Sequence, residues 1–124
     1  MISKELDDKL CGDFPYLYQN RNKSMYESAM YWGFSCGDGW FDLIYQLSRK
    51  LEPYKVIAAQ VKQKWCQLRF HIEEPHKAPP EVLDLIKATE IASLNVCERC
   101  GGLRSGKFAG IGAGRATCEE CNNE

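Results

Sequence analysis

The stretch IAAQVKQKWCQLRFHIE, residues 57–73, decides the fold class, because its apolar residues alternate with polar ones instead of recurring every three or four. Ile57, Ala59, Val61 and Trp65 fall on one face and Gln60, Lys62 and Lys64 on the other. That two-residue period marks a half-buried strand. A second alternating run follows, with Leu68, Phe70 and Ile72 inward and Gln67, Arg69, His71 and Glu73 outward, so the two runs predict an antiparallel hairpin. Its turn is expected near Cys66-Gln67, a dipeptide without the Gly or Asn that two-residue hairpin loops favour.

Helical periods flank this hairpin. Upstream, Trp40, Leu43, Ile44, Leu47 and Leu51 form one apolar stripe; Asp38 is placed to cap its start and Pro53 to end it. Downstream, the charged, proline-punctuated segment 73–80 leads into Val82, Leu83, Ile86, Ile91 and Leu94, a helix opening at Pro80 or Glu81. Residues 1–35 are rich in aromatics without one sustained period and predict a partly helical lead-in. Within it Ser24 is placed to cap a short helix carrying Met25, Ala29, Met30 and Trp32. The expected architecture is an α+β domain over 1–96, a short antiparallel β-hairpin sheet packed with helices, followed by a C-terminal zinc-ribbon module over 97–124. Trp40, Leu43, Leu47, Val61, Trp65, Leu68 and Phe70 are the expected core.

The zinc expectation rests on Cys97-Glu-Arg-Cys100 and Cys118-Glu-Glu-Cys121, two C-x2-C pairs with seventeen residues between their inner members. This is zinc-site spacing. Each pair can fold into a tight knuckle with both sulfurs about 2.3 Å from one ion, and two knuckles complete a tetrahedron. Four thiolates close the coordination shell, which predicts one structural Zn2+ per chain and no hydrolysis at the metal. Iron accepts the same donors, but ribbon spacing favours zinc. Gly101 and Gly102 follow the first knuckle, where backbone must turn sharply beside the sulfurs. The loop 101–117 offers mainly Leu103, Phe108 and Ile111 for burial, so its order is expected to depend on the metal.

Composition bounds the rest. The chain has 124 residues, 44% hydrophobic and 27% charged, the balance of one soluble globular domain with a small appendage. No run approaches the roughly 20 apolar residues of a membrane helix. MISKELDDKL lacks the basic-then-apolar build of a signal peptide, so a cytoplasmic location is expected. An odd cysteine count of seven, four of them in close pairs, argues for metal over a disulfide scaffold, with Cys11, Cys36 and Cys66 remaining thiols. The net charge of -1 excludes a global field drawing the protein to nucleic acid or anionic membrane.

A local patch is the remaining route to such ligands. Lys62, Lys64 and Arg69, with His71 beside them, project from the polar face of the hairpin, where they suit phosphates or an acidic partner. The plainer reading is a solvated sheet face. Arg99, Arg104, Lys107 and Arg115 decorate the zinc segment, and Arg104 and Arg115 join the candidate partner-binding set. Glu98, Glu119, Glu120 and the roughly two negative charges of a four-thiolate zinc centre offset them. Cys36 precedes a helix start, a position that can activate a thiol, yet no histidine stands with it in a recognisable motif, and packing beside Trp40 is the default. Asp13, Asp38 and Asp42 are candidate magnesium ligands for a nuclease. No convergent catalytic set is evident.

The chain resembles a family of small, mostly uncharacterised bacteriophage and prophage proteins that carry a CGDGW motif and a C-terminal four-cysteine zinc ribbon. The residues concerned are Met30-Tyr31-Trp32-Gly33-Phe34, Cys36-Gly37-Asp38-Gly39-Trp40-Phe41-Asp42-Leu43, Gln60-Val61-Lys62-Gln63-Lys64-Trp65, Leu68-Arg69-Phe70 and the cysteine pairs, spanning most of 14–121. In such relatives the hairpin turn commonly bears glycine, the last ligand is sometimes His where this chain has Cys121, and an aromatic usually stands at the position of His71. The resemblance implies an accessory protein that binds a host protein, a host factor or a component of host defence, in the host cytoplasm. Nucleic-acid or nucleotide binding is the first alternative, and a metal-dependent nuclease or cysteine hydrolase the second.

Overall fold

Ser3 begins the first ordered element. Its hydroxyl accepts from the Leu6 N–H at 3.4 Å and caps helix α1, Lys4–Asp13, in the computed structural model, which describes residues 1–105, 109 and 115–122. Surface pairs Lys4–Asp8 and Lys9–Asp13 follow the helical i, i+4 spacing. Leu10 is the one fully buried residue of α1, which is why no apolar stripe announced it. The helix expected from Ser24 does not form. Ser24 instead bonds Glu27 at 3.0 Å, and Ser28 caps a single 3-10 turn, Ala29–Trp32. Of the anticipated stripe only Met30 is buried, so there is no continuous face to drive a longer helix.

The sheet has three strands in the order β1-β2-β3. Strand β1, Phe34–Ser35, runs parallel to β2, Ala58–Lys64, with Phe34 opposite Val61. Strand β3, Gln67–Ile72, is antiparallel to β2, so the hairpin forms and gains a short parallel neighbour. Lys64 pairs with Gln67, which leaves Trp65 and Cys66 as the two-residue loop, at φ 57° and 64°. The turn thus falls one residue earlier than expected. Trp65 stands on it, 66% exposed, and is no part of the core. Gln67, expected outside, is buried and donates to the Glu90 carbonyl at 3.2 Å. A bulge between Ala58 and Gln60 turns Ala58 inward in place of Ile57 and Ala59.

Two non-glycine residues in the left-handed region cost about 1–2 kcal/mol each, so this turn needs external support. Gln63 Oε1 accepts from the Cys66 N–H at 3.2 Å, and the Arg104 guanidinium donates to the Cys66 carbonyl at 2.9 Å.

Helix α2, Phe41–Leu51, is entered through a 3-10 turn, Asp38–Trp40, and left through another, Glu52–Tyr54, that contains Pro53. Trp40, Ile44, Leu47 and Leu51 are buried and Leu43 half-buried, close to the expected stripe. Asp38 does not cap this helix. Its carboxylate accepts from the Ser3 N–H at 2.6 Å and anchors the N-terminal segment. Helix α3, Pro80–Ala92, opens with proline in its first turn as anticipated. Val82 and Ile86 are buried, whereas Leu83 and Ile91 face outward. From its end Glu90 and Ser93 reach β3, accepting from the Phe70 and Leu68 N–H groups at 2.8 and 2.9 Å.

The core lies where α1, α2, α3 and the sheet converge. Tyr18 sits in it, edge-on to Phe34 at 5.0 Å, with its hydroxyl bonded to buried Ser48 at 2.6 Å. Among the described residues no helix is long and apolar enough to cross a membrane. Lys107, Phe108 and Ile111 lie outside the described residues.

Candidate metal centre

The chain leaves α3 through a 3-10 turn, Ser93–Asn95, and enters the first knuckle at Cys97. The Cys97 N–H donates to the Gly102 carbonyl at 2.7 Å and the Gly101 N–H to the Cys97 carbonyl at 2.9 Å. Gly101 sits at φ 78°, a conformation that favours glycine. Two further N–H groups point at sulfur: Cys100 N–H to Cys97 Sγ at 3.4 Å and Gly102 N–H to Cys100 Sγ at 3.3 Å. A side chain at Gly102 would crowd the Cys100 sulfur. The second knuckle closes with the short helix α4, Glu119–Asn122, whose Asn122 N–H bonds the Cys118 carbonyl at 3.0 Å.

These two knuckles bring the Sγ atoms of Cys97, Cys100, Cys118 and Cys121 within 4.8 Å of one another. Cys100 and Cys118 sulfurs are 3.8 Å apart. A tetrahedron with metal–sulfur bonds of about 2.3 Å has sulfur–sulfur edges of about 3.8 Å, so the cluster fits a four-thiolate metal ion. Among the described residues it is the only group of three or more His, Cys, Asp or Glu with such an arrangement. Burial opposes ionisation of Cys97, yet the N–H groups of Cys100, Cys118 and Arg99 bring its thiol down to about 6. Cys121 is pushed up to about 12, by burial first and then by the neighbouring thiols. A cation is what lets all four ionise together.

The CGDGW motif is the seat of this centre. Gly39 N–H donates to the Glu98 carbonyl at 2.7 Å, Gly37 N–H to the Glu98 carboxylate at 2.8 Å, and Trp40 Nε1–H to the Val96 carbonyl at 2.8 Å. A Cβ at Gly37 or Gly39 would collide with the carbonyl oxygens of Glu98 and Cys97, which explains both glycines by close backbone approach. Cys36, beside them, is buried, and desolvation together with the Glu98 charge pushes its thiol up to about 12. That thiol is packed and protonated, not activated.

Arg104 was expected on a partner-binding surface and is 1% exposed. Its guanidinium donates to three carbonyls: Cys66 at 2.9 Å in the hairpin turn, Ser93 at 3.2 Å at the end of α3, and Arg115 at 2.7 Å on the approach to the second knuckle. Burial lowers its pKa from the usual value, but an arginine keeps its charge. Nothing in the local sequence distinguishes this arginine from a solvated one, since its partners lie 38, 11 and 11 residues away. Arg115 itself is exposed. Lys62, Lys64, Arg69 and His71 do come together. With Trp65 they line an open concavity of about 300 Å³.

The candidate magnesium ligands serve separate duties. Asp13 accepts from the Tyr45 hydroxyl at 2.6 Å and from Lys9 at 3.0 Å, which lower its pKa in that order; Asp38 holds the Ser3 N–H, and Asp42 lies exposed in the first turn of α2. Comparison with known protein families, with curated proteins and with solved structures returns no match to this chain.

Proposed function

We propose that Cys97, Cys100, Cys118 and Cys121 hold one structural zinc ion, and that the protein acts by binding, as a phage-type accessory protein directed at a host factor or a component of host defence. Zinc is favoured by the ribbon spacing and by a shell of four thiolates that leaves no position for water. A structural role is favoured by the way Gly37, Gly39, Trp40 and Arg104 tie the knuckles to the core. The phage context rests on the family resemblance.

The observation that carries the binding reading is the exposed aromatic segment between Met25 and Trp32. Met25, Tyr26, Tyr31 and Trp32 all face outward there, Tyr26 at 89% and Trp32 at 56% exposure. The segment is braced. Arg21 donates to the Tyr31 carbonyl at 2.9 Å while paired with Asp7 at 2.7 Å, and Tyr31 and Trp32 pack edge-on at 5.0 Å. Aromatic anchors presented on held backbone are the residues that dominate protein interfaces. Cys36 and Asp38, which a hydrolytic reading would use, serve packing and a backbone N–H.

Native mass spectrometry of protein purified by affinity from host lysate tests both parts. One zinc per chain and one enriched host protein, lost from Trp32→Ala, is the expected result. Metal-free protein after anaerobic purification overturns the zinc assignment. Undiminished capture by a Tyr26→Ala/Trp32→Ala variant overturns the aromatic surface.

A further inference from the structure

The outward face of the hairpin is built against its own stability. Lys62 stands directly opposite Arg69 in the β2–β3 register, and like charges directly opposite one another on a sheet repel. Lys64 and His71 lie beside them in the same concavity, whose lining contains no carboxylate among the described residues. Among the described residues none of Lys62, Lys64 and Arg69 has an ion-pair partner. Among the described residues the buried Arg69 Nε–H finds no hydrogen-bond partner, which adds to the cost of this face.

The fifth lining residue is Trp65. Its place on a left-handed turn, with Gln63 and Arg104 gripping the adjacent Cys66 peptide, holds the indole out beside the cations. A large apolar ring spent on a strained turn, in contact with solvent, serves no packing purpose. Cations supply partners for phosphate, and an exposed indole supplies a face for a base; together they are the elements from which single-stranded nucleic-acid sites are made.

We propose that this concavity binds a nucleotide unit, with its phosphate held by Lys62, Lys64 and Arg69 and its base stacked on Trp65. The concavity is at the small end of ligand-site volumes, which suits one such unit, either free or within a single strand. Arg69 carries the central role, since it lines the concavity directly opposite Lys62, where a phosphate would offset the repulsion of the two like charges. This inference stands apart from the zinc and aromatic-segment readings, and its variants leave both untouched.

The test uses zinc-loaded full-length protein and fluorescence anisotropy with a short labelled oligodeoxythymidine, followed by competition with AMP. Binding is expected at low salt, weakened about threefold between roughly 50 and 200 mM salt, as one neutralised phosphate of a single strand requires. Trp65→Ala is expected to weaken it about tenfold. Arg69→Gln and Lys62→Gln are each expected to weaken it, while Lys50→Glu, at an exposed position of α2, leaves it unchanged. Competition by AMP identifies the free nucleotide as sufficient; its failure, with the oligonucleotide still bound, assigns the site to a strand. Circular dichroism of each variant establishes folding, and Lys62→Gln, on the strand surface, serves if Trp65→Ala disturbs the turn. Absence of binding by both probes at low salt overturns the proposal. So does binding that Arg69→Gln does not weaken, or that folded Trp65→Ala leaves unchanged.

Discussion

The hairpin layer and the knuckle segment are held by different forces. The first buries a continuous set of large side chains, among them Tyr18, Phe34, Trp40, Leu47, Leu51 and Leu68. In the second, the buried described residues are Cys97, Arg104 and Ala116, and two of those are polar or ligating. Hydrophobic burial can order the first, whereas the described residues of the second bury too little apolar surface to offset the entropy of fixing them. The contrast shows how a short chain can extend past its hydrophobic core, by attaching a segment with a cluster of four cysteines through a few directional bonds.

Removing the zinc proposed for the knuckles is the strongest way to test that contrast. Structural zinc contributes on the order of 10 kcal/mol of apparent folding free energy, so chelation is expected to lose the knuckle segment while the hairpin layer keeps most of its backbone protection. Hydrogen exchange read by mass spectrometry checks this. Loss of protection throughout the chain at one chelator concentration would show the two regions to be a single cooperative unit. A smaller effect is expected from Arg104→Leu, which leaves the carbonyls of Cys66, Ser93 and Arg115 without their charged donor. About 3 kcal/mol of destabilisation in a denaturant titration is expected, because unsatisfied buried acceptors carry their full desolvation cost. A change below about 0.5 kcal/mol would show that the two regions are joined chiefly through Gly37, Gly39 and Trp40. The smallest change is a gain. Cys66→Gly relieves one left-handed residue in the hairpin turn and is expected to stabilise the protein by about 1 kcal/mol, measured by the same titration.

What the sequence disclosed follows the same division. Alternation in β2 and β3, the Trp40 to Leu51 stripe and the paired cysteines were legible because each is a local pattern with its own period or spacing. Strand β1 was not, since two residues carry no period and its partner Val61 lies far along the chain. Trp65 misled for a related reason. Its apolar character and odd-numbered place in the run put it in the core, but the register is set by positive φ at Trp65 and Cys66, which residue preference does not anticipate in a tryptophan or a cysteine. Gly37 and Gly39 were visible as a pair, while the close approach of Glu98 that requires them is a tertiary fact. Asp38 could be read as a helix cap from its position, and only the arrival of the Ser3 N–H assigns its carboxylate elsewhere.

Each border of the small sheet has its own stopper. On one side β1 is only two residues long, and the Ile2 N–H already occupies the Phe34 carbonyl. On the other, the Ser93 hydroxyl and the Glu90 carboxylate occupy the Leu68 and Phe70 N–H groups of β3, respectively. An unprotected strand border is a template on which other chains polymerise. Here a foreign strand would have to displace side chains of α3 and of the turn that follows it before it could add, so this border is closed to strand addition.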